Sequence, residues 1–163
     1  MKRIMLQSGL STMVDDEDLA DLERYSWQAV PCPSGFYVCR SAEGTTVYMH
    51  RQLKGCPENL DVDHRDGNSL NNQKSNLREA TRTQNNRNMH RSARQRRGAF
   101  KGIRWHRQKQ RWQARITVNY KSLCVGYHRD ALAAALLYDS AALRVFGEFA
   151  APNFSPSNDR GAL

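Results

Sequence analysis

The chain has few cysteines and no cysteine pair with metal-binding spacing. Its four cysteines, Cys32, Cys39, Cys56 and Cys124, show no Cys-x-x-Cys motif, which argues against a structural zinc and predicts ordinary reduced thiols. The N-terminus has too short an apolar run for a signal peptide, and no stretch approaches the length of a membrane span. We therefore expect a cytoplasmic protein without a membrane partner.

Acidic residues are scarce in the C-terminal part of the chain. The 163 residues carry a net charge of +9. Residues 1–66 hold 7 Lys or Arg against 11 Asp or Glu, giving −4, whereas residues 67–163 hold 18 against 5, giving +13. A basic region of this kind is typical of proteins that bind polyanions. We therefore expect double-stranded DNA as the partner.

A carboxylate, an imidazole and two amides have the spacing of a metal-dependent nuclease site. Asp63 precedes His64, Asn76 follows twelve residues after His64, and Asn85 follows nine residues later. Phosphodiester hydrolysis needs a base, which His64 can supply, and a divalent cation that stabilises charge on the departing oxygen. Hard cations prefer oxygen ligands, a role that suits Asp63 and Asn85. Neighbouring residues of a flat strand point to opposite faces, so one shared site requires the strand to bend near the Asp66-Gly67 turn.

The span from Tyr48 to Asn88 resembles the His-Asn-His (HNH) endonucleases, and more closely their homing branch. The matching motifs are Met49-His50-Arg51, Asp63 to Asn68, and Asn76-Leu77-Arg78. The resemblance implies a ββα-metal core with His64 as general base and Asn76 as the residue that braces its loop. It also implies that Asp63 and Asn85 bind one divalent cation, Mg²⁺ or Mn²⁺, with no zinc. Two positions depart from the family pattern, since Asn85 replaces a His and Asn71 replaces an Asp.

His50 has two open interpretations. It could be a partner of the site residues or a phosphate contact, and it could equally be a packed histidine on a short helix.

The residue pattern divides the chain into sections. Residues 1–45 predict a scaffold with a strand from Leu10 to Val14, a helix from Asp16 to Tyr25, and short strands near Trp27 and at 36–40. Residues 46–90 are the predicted catalytic core, with strands near 61–64 and 77–80 and a helix at 82–90, and they complete a nuclease domain at 1–90. Residues 91–98 are a predicted basic linker whose Arg94, Arg96 and Arg97 would meet phosphates. Residues 156–163 are a predicted tail.

From Phe100 onward the pattern predicts a three-stranded antiparallel sheet packed on one helix. Residues 111–118 alternate, so that an apolar face and a polar, basic face are expected. Shorter strands are predicted at 103–106 and 121–127. Asp130 is the expected cap of a helix from Ala131 to Phe146, which Gly147 ends. The apolar residues are expected to form a core rather than a site for a small-molecule cofactor.

Residues 99–155 resemble the Apetala-type DNA-binding domain of plant ethylene-response factors. The matching motifs are Lys101-Gly102-Ile103-Arg104-Trp105, Arg111 to Ile116, Val125-Gly126-Tyr127 and Ala134 to Ala142. The resemblance implies that the exposed sheet face enters the major groove, with Lys101, Arg104, His106 and Arg115 as contacts. Such domains also occur fused to viral and bacterial homing nucleases, which is compatible with a phage-encoded enzyme acting in the host cytoplasm or nucleoid.

Two functions remain open for this α+β chain. The first is a site-specific, metal-dependent DNA endonuclease of homing type, expected as a monomer that nicks one strand. The alternative is a non-catalytic, sequence-specific DNA-binding regulator with a vestigial nuclease core. The intact set of Asp63, His64, Asn76 and Asn85 favours the enzyme.

Overall fold

The computed structural model describes residues 1–32, 35–88 and 100–154. The chain divides into two compact units, Met1–Met89 and His90–Leu163. The predicted linker at 91–98, with Arg94, Arg96 and Arg97, and the predicted tail at 156–163 lie outside the described residues. Within the described ranges, no helix is both long and apolar enough to cross a membrane.

The described residues of the first unit form three small antiparallel sheets. Strands β1 (Lys2–Met5) and β2 (Ser11–Val14) form a hairpin, and β3 (Gln28–Cys32), β4 (Gly35–Ala42) and β5 (Thr45–Tyr48) form a three-stranded sheet. Strands β6 (Asp61–His64) and β7 (Leu77–Ala80) form a second hairpin. The apolar core of this unit consists of side chains from the first two sheets, from the segments between them and from the helix that follows: Ile4, Leu6, Val14, Leu22, Trp27, Val38 and Met49.

The helices of the first unit are short. A 3-10 turn at Asp16–Asp18 leads into α1 (Leu19–Leu22), so the predicted helix from Asp16 to Tyr25 is shorter and irregular. Helix α2 (Met49–Lys54) ends at Gly55, whose φ of 60° is left-handed, a conformation that glycine adopts without steric cost. Helix α3 (Arg82–Asn88) packs on both strands of the β6–β7 hairpin. The hairpin therefore has α3 as one neighbour and α2 as another.

The second unit is a three-stranded antiparallel sheet with one long helix. The strands are β8 (Ile103–His106), β9 (Arg111–Val118) and β10 (Lys121–His128), and β9 lies in the middle. Helix α4 (Ala131–Phe146) is capped by the Asp130 carboxylate, which accepts from the backbone N–H groups of Leu132 and Ala133. These elements have the predicted order and nearly the predicted bounds.

Small residues bring α4 close to the sheet. The core pairs Ala134, Ala135, Tyr138 and Ala142 of the helix with Ile103, Ala114 and Ile116 of the strands. Gly102 lies at the tightest point, since a Cβ there would stand 2.1 Å from Cδ2 of Tyr138 and 2.7 Å from the carbonyl oxygen of Arg115. Its φ of +75° is also one that side chains rarely adopt. The alternation predicted for β9 thus gives one face to the core.

Candidate active site

Strand β6 distributes its four side chains over two faces of the hairpin. On one face, Asp61 contacts Asn85 of α3 and Asp63 contacts Asn88. On the other face, His64 lies beside Asn72 and His50. The pairing with β7 is regular, with Asp63 opposite Arg78 and His64 opposite Leu77. The expected bend that would turn Asp63 and His64 toward one site is therefore absent from this described strand.

Asp63 belongs to a buried ion pair. Its Oδ2 accepts hydrogen bonds from Nε of Arg78 at 2.8 Å and from Nη2 at 2.6 Å, and both side chains are buried, at 7 % and 5 % exposure. Its Oδ1 accepts from Nδ2 of Asn88 at 2.9 Å. The same Asn88 amide donates to the carbonyl oxygen of His64. Both carboxylate oxygens of Asp63 are thus engaged inside the protein.

His64 is a buried, neutral imidazole. Its Nε2 lies 3.3 Å from Oδ1 of Asn72, while Nδ2 of Asn72 donates to Thr12 and to the carbonyl of Ser69. Because that network orients Oδ1 toward the ring, Nε2 must carry the proton and Nδ1 keeps the lone pair. Burial lowers the pKa of His64, although the hydrogen bond to Asn72 and the charges of Asp66 and Asp63 oppose this shift.

His50 is packed on the short helix α2 and also borders the site. Its ring centroid lies 5.3 Å from that of His64, and only 7 % of the residue is exposed. Burial, with smaller contributions from His64 and Arg51, lowers the pKa of His50 to about 3. Its Nδ1 is buried and has no hydrogen-bond partner among the described residues. His50 is therefore both a packed histidine of a short helix and a neighbour of His64.

Asn76 holds the loop that follows His64. Its Oδ1 accepts from the backbone N–H of Asp66, and its Nδ2 donates to Oδ1 of Asp66 and to the carbonyl of Asn71. Oδ2 of Asp66 in turn accepts from Nδ2 of Asn71 at 2.9 Å. This polar network suits a bracing role for Asn76.

Asn85 contacts a carboxylate other than the predicted one. Its Nδ2 donates to Oδ2 of Asp61 at 3.1 Å, and Nη1 of Arg82 lies 3.8 Å from the same oxygen. The structure therefore does not bring the two predicted metal ligands, Asp63 and Asn85, together. The physical reason is geometric: Arg78 stands directly across from Asp63, and Asn88, almost one helical turn after Asn85, fills its other side.

A pocket of about 240 Å³ opens at the free edge of β6. It is lined by residues from α2 on one face of the hairpin and from α3 on the other, together with two tyrosines of the preceding sheet: Tyr37, Tyr48, His50, Arg51, Asp61, Val62, Arg82 and Asn85. Within the described part of the chain, no cluster of three His, Cys, Asp or Glu side chains has metal-binding geometry. Any cation here would have to use few protein ligands, including an amide oxygen.

Three residues of this region have contacts that the sequence did not predict. Asp61 could have been found, because it stands two positions before Asp63 and hence on the same face of the strand. Arg78 stood in the motif Asn76-Leu77-Arg78 without a predicted role, and Asn88 carried no signal of its own. Their contacts with Asp63 depend on the register of β6 with β7 and on the placement of α3.

Some of the predicted DNA contacts lie together on the polar face of the second unit, which is the face of the sheet opposite α4. Strand alternation and register place Arg104, His106 and Arg115 on the sheet face opposite α4. Lys101 lies in the turn before β8, where its backbone is bound to the side chain of Asn153.

Gln113, which the sequence did not single out, is buried at the centre of this polar face. It donates to the hydroxyl of Tyr127, and its Oε1 has no partner among the described residues.

Comparison with known proteins identifies one part of the chain. Residues 47–87, from β5 to α3, match a family model described as HNH endonuclease. No curated protein and no solved structure matches the chain significantly. The matched segment contains the β6–β7 hairpin, His50, His64 and Asn85, and its similarity to HNH endonucleases indicates a nuclease, a hydrolase that acts on DNA.

Proposed function

We propose that the chain is a divalent-metal-dependent DNA endonuclease of homing type, directed to its target by its second unit. The observation that carries the proposal is the family match over residues 47–87, because it spans the hairpin and helix that hold His64 and Asn85. One such domain per chain supplies one active site, so the expected product of a monomer is a nick.

His64 is the general base in this proposal. Its pKa is lowered by burial, so the imidazole is neutral at physiological pH and can accept a proton. The hydrogen bond between Nε2 and Asn72 fixes the tautomer and makes Nδ1 the accepting atom. Asn76 keeps the adjoining loop in place through Asp66.

A bound Mg²⁺ or Mn²⁺ would stabilise negative charge on the phosphate and on the departing oxygen. Asn85 stands at the pocket and suits such a cation through its amide oxygen. The pair of Asp63 and Asn85 does not fit as a ligand set here, because both oxygens of Asp63 are bound to Arg78 and Asn88.

The second unit is the proposed reader of the target. Arg104, His106 and Arg115 share one sheet face, and a two- or three-stranded ribbon fits the major groove of DNA. Lys101 would add a contact from the turn before β8, and Arg94, Arg96 and Arg97 would bind phosphates without regard to sequence.

A second candidate function is a DNA-binding regulator without catalysis. Two observations favour it. Asp63 belongs to a buried ion pair, and His64 is absent from the residues that line the pocket, which include its neighbour His50. A regulator of this kind would bind DNA specifically and leave it intact.

Nicking of supercoiled plasmid that carries candidate target DNA separates the two functions. With Mg²⁺, the wild-type chain should convert the supercoiled form to the open circle, and EDTA should abolish the reaction. His64→Ala should reduce cleavage by orders of magnitude and retain DNA binding. His128→Ala, which removes an exposed imidazole of the second unit, is the matched control. Binding with no cleavage in any divalent metal would support the regulator.

A further inference from the structure

A chain of hydrogen bonds connects the N-terminal hairpin to the imidazole of His64. It runs from the carbonyl oxygen of Leu70 through the hydroxyl of Thr12 and the amide of Asn72 to Nε2 of His64, with steps of 2.9, 2.8 and 3.3 Å. Thr12 and Asn72 are fully buried, and His64 is 5 % exposed. Buried polar groups are satisfied by protein partners rather than by bulk water, so the direction of each bond depends on its neighbours.

The direction of this chain is set by backbone carbonyl groups, which can only accept a hydrogen bond. The hydroxyl of Thr12 therefore donates to Leu70, and its lone pairs are left for the amide. The Thr12 oxygen accepts from Nδ2 of Asn72. The carbonyl oxygen of Ser69, 3.4 Å from the same Nδ2, also requires a donor there. Two acceptors thus hold the NH₂ group of the amide away from His64 and leave Oδ1 facing the ring.

The orientation of this amide decides which ring nitrogen of His64 carries the proton. With Oδ1 of Asn72 facing Nε2, only a protonated Nε2 makes a hydrogen bond. Without the hydroxyl of Thr12, the amide would lose its nearest acceptor. Turning it around would then present Nδ2 to the ring and favour the proton on Nδ1. An imidazole that must accept a proton at Nδ1 is ineffective in that tautomer.

The backbone around Thr12 keeps this geometry in place. The N–H of Met13 donates to the carbonyl of Leu70 at 2.8 Å, and the N–H of Asn72 donates to the carbonyl of Met13 at 2.8 Å. On its other edge, strand β2 is paired with β1. The hydroxyl therefore lies on a strand that is bonded on both edges, and regular elements hold a side chain more precisely than loops do.

We propose that Thr12 is a positioning residue for the general base: its hydroxyl, acting through Asn72, keeps the proton of His64 on Nε2 and the lone pair on Nδ1. This inference rests on the proposed nuclease function. The role differs from that of Asn76, which holds the loop after His64 through Asp66, because it concerns the position of a proton rather than that of the backbone.

Nuclear magnetic resonance of the full chain with ¹⁵N-labelled histidine tests the proposal without a need for activity, because the ¹⁵N shifts of a neutral imidazole distinguish its two tautomers. The signals of His64 are those that His64→Gln removes from the spectrum of the five histidines. The wild type should carry the proton on Nε2. Thr12→Val, which removes the hydroxyl and nearly keeps the shape, should shift the signals toward the form protonated on Nδ1. Thr12→Ser should keep the wild-type signals.

The kinetics of plasmid nicking give a second readout. Thr12→Val should lower the rate constant of nicking about 10–100-fold, the range known for residues that orient a functional histidine through hydrogen bonds. Its affinity for DNA should be unchanged, and Thr12→Ser should keep most of the wild-type rate. Thr46→Val, which removes an exposed threonine hydroxyl from β5, is the matched control and should match the wild type in both measurements.

Two results would overturn the inference. One is a proton on Nδ1 in the wild type, which can be observed whether or not any variant folds. The other is a folded Thr12→Val chain with the wild-type imidazole signals, at any nicking rate, because Thr12 would then have a structural role alone. A wild type that carries the proton on Nε2 and never cuts DNA refutes the proposed function, and the shift expected in Thr12→Val still tests the control of the tautomer.

Discussion

Replacing Arg78 by Met would leave the Asp63 carboxylate buried without its counter-charge. Both side chains are almost inaccessible to water, and Oδ2 of Asp63 would lose two charged hydrogen bonds, at 2.8 and 2.6 Å. Breaking one partner of a buried pair costs about 3–5 kcal/mol. For a unit of this size each kcal/mol lowers the unfolding temperature by about 4–8 °C, so we expect a decrease of at least about 12 °C.

A double-mutant cycle isolates this effect. Thermal and urea unfolding would be measured for Arg78→Met, for Asp63→Leu and for the double variant, which should recover much of the loss because no buried charge remains. The exposed pair of Arg24 and Asp21 provides the control, since Arg24→Met should cost no more than about 1 kcal/mol. If Arg78→Met cost as little as Arg24→Met, the description of Asp63 as a buried structural charge would be wrong.

Three further predictions concern stability, each measured by urea unfolding. The pKa of His50 is about 3 in the folded chain and 6.5 in the unfolded chain, so protonation favours unfolding. The stability that neutral His50 contributes is complete above pH 6.5, and the free energy of unfolding falls by about 2 kcal/mol between pH 8 and 5. His50→Gln should remove that part of the acid sensitivity, and an unchanged pH profile would contradict it. Gly102→Ala should destabilise the second unit by about 2–5 kcal/mol, through its left-handed backbone and the clash with Tyr138. Gly44→Ala, with a similar φ and open space, should show only the backbone cost in the first unit, and equal losses would refute the clash. Asp130→Ala should cost about 1 kcal/mol by uncapping α4, whereas no loss would show that the cap is dispensable.

The second unit was predictable from sequence because its signals are local. The alternation in β9, the cap at Asp130 and the ending at Gly147 each depend on a few adjacent residues. They indicate the strands and the helix without reference to any long-range contact. The order of the sheet follows from short connections between antiparallel neighbours.

The first unit was predicted less well because its elements depend on distant partners. Strand β1 carries no strong pattern and exists because it pairs with β2. The helix expected after Asp16 is reduced to a 3-10 turn and the four residues of α1.

The same limit applies to the candidate site. The positions of β6, β7 and α3 could be predicted, but not that the register places Arg78 across from Asp63 and that Asn85 meets Asp61. The sequence shows which polar side chains are present at a site, whereas the register of the paired strands determines which of them contact each other.

The N-terminal hairpin supports the loop that holds Asn72, the hydrogen-bond partner of His64. Strand β2 forms a bridge from Met13 to Asn71, and the fully buried Thr12 donates to the carbonyl of Leu70 and accepts from the amide of Asn72. That amide sets the tautomer of His64. The segment that matches the endonuclease family model begins at residue 47, yet the amide that orients the His64 ring is itself held by Thr12, sixty residues before Asn72. The matched segment is therefore smaller than the compact unit at Met1–Met89, and residues 47–87 alone would lack the Thr12 hydroxyl that holds the Asn72 amide.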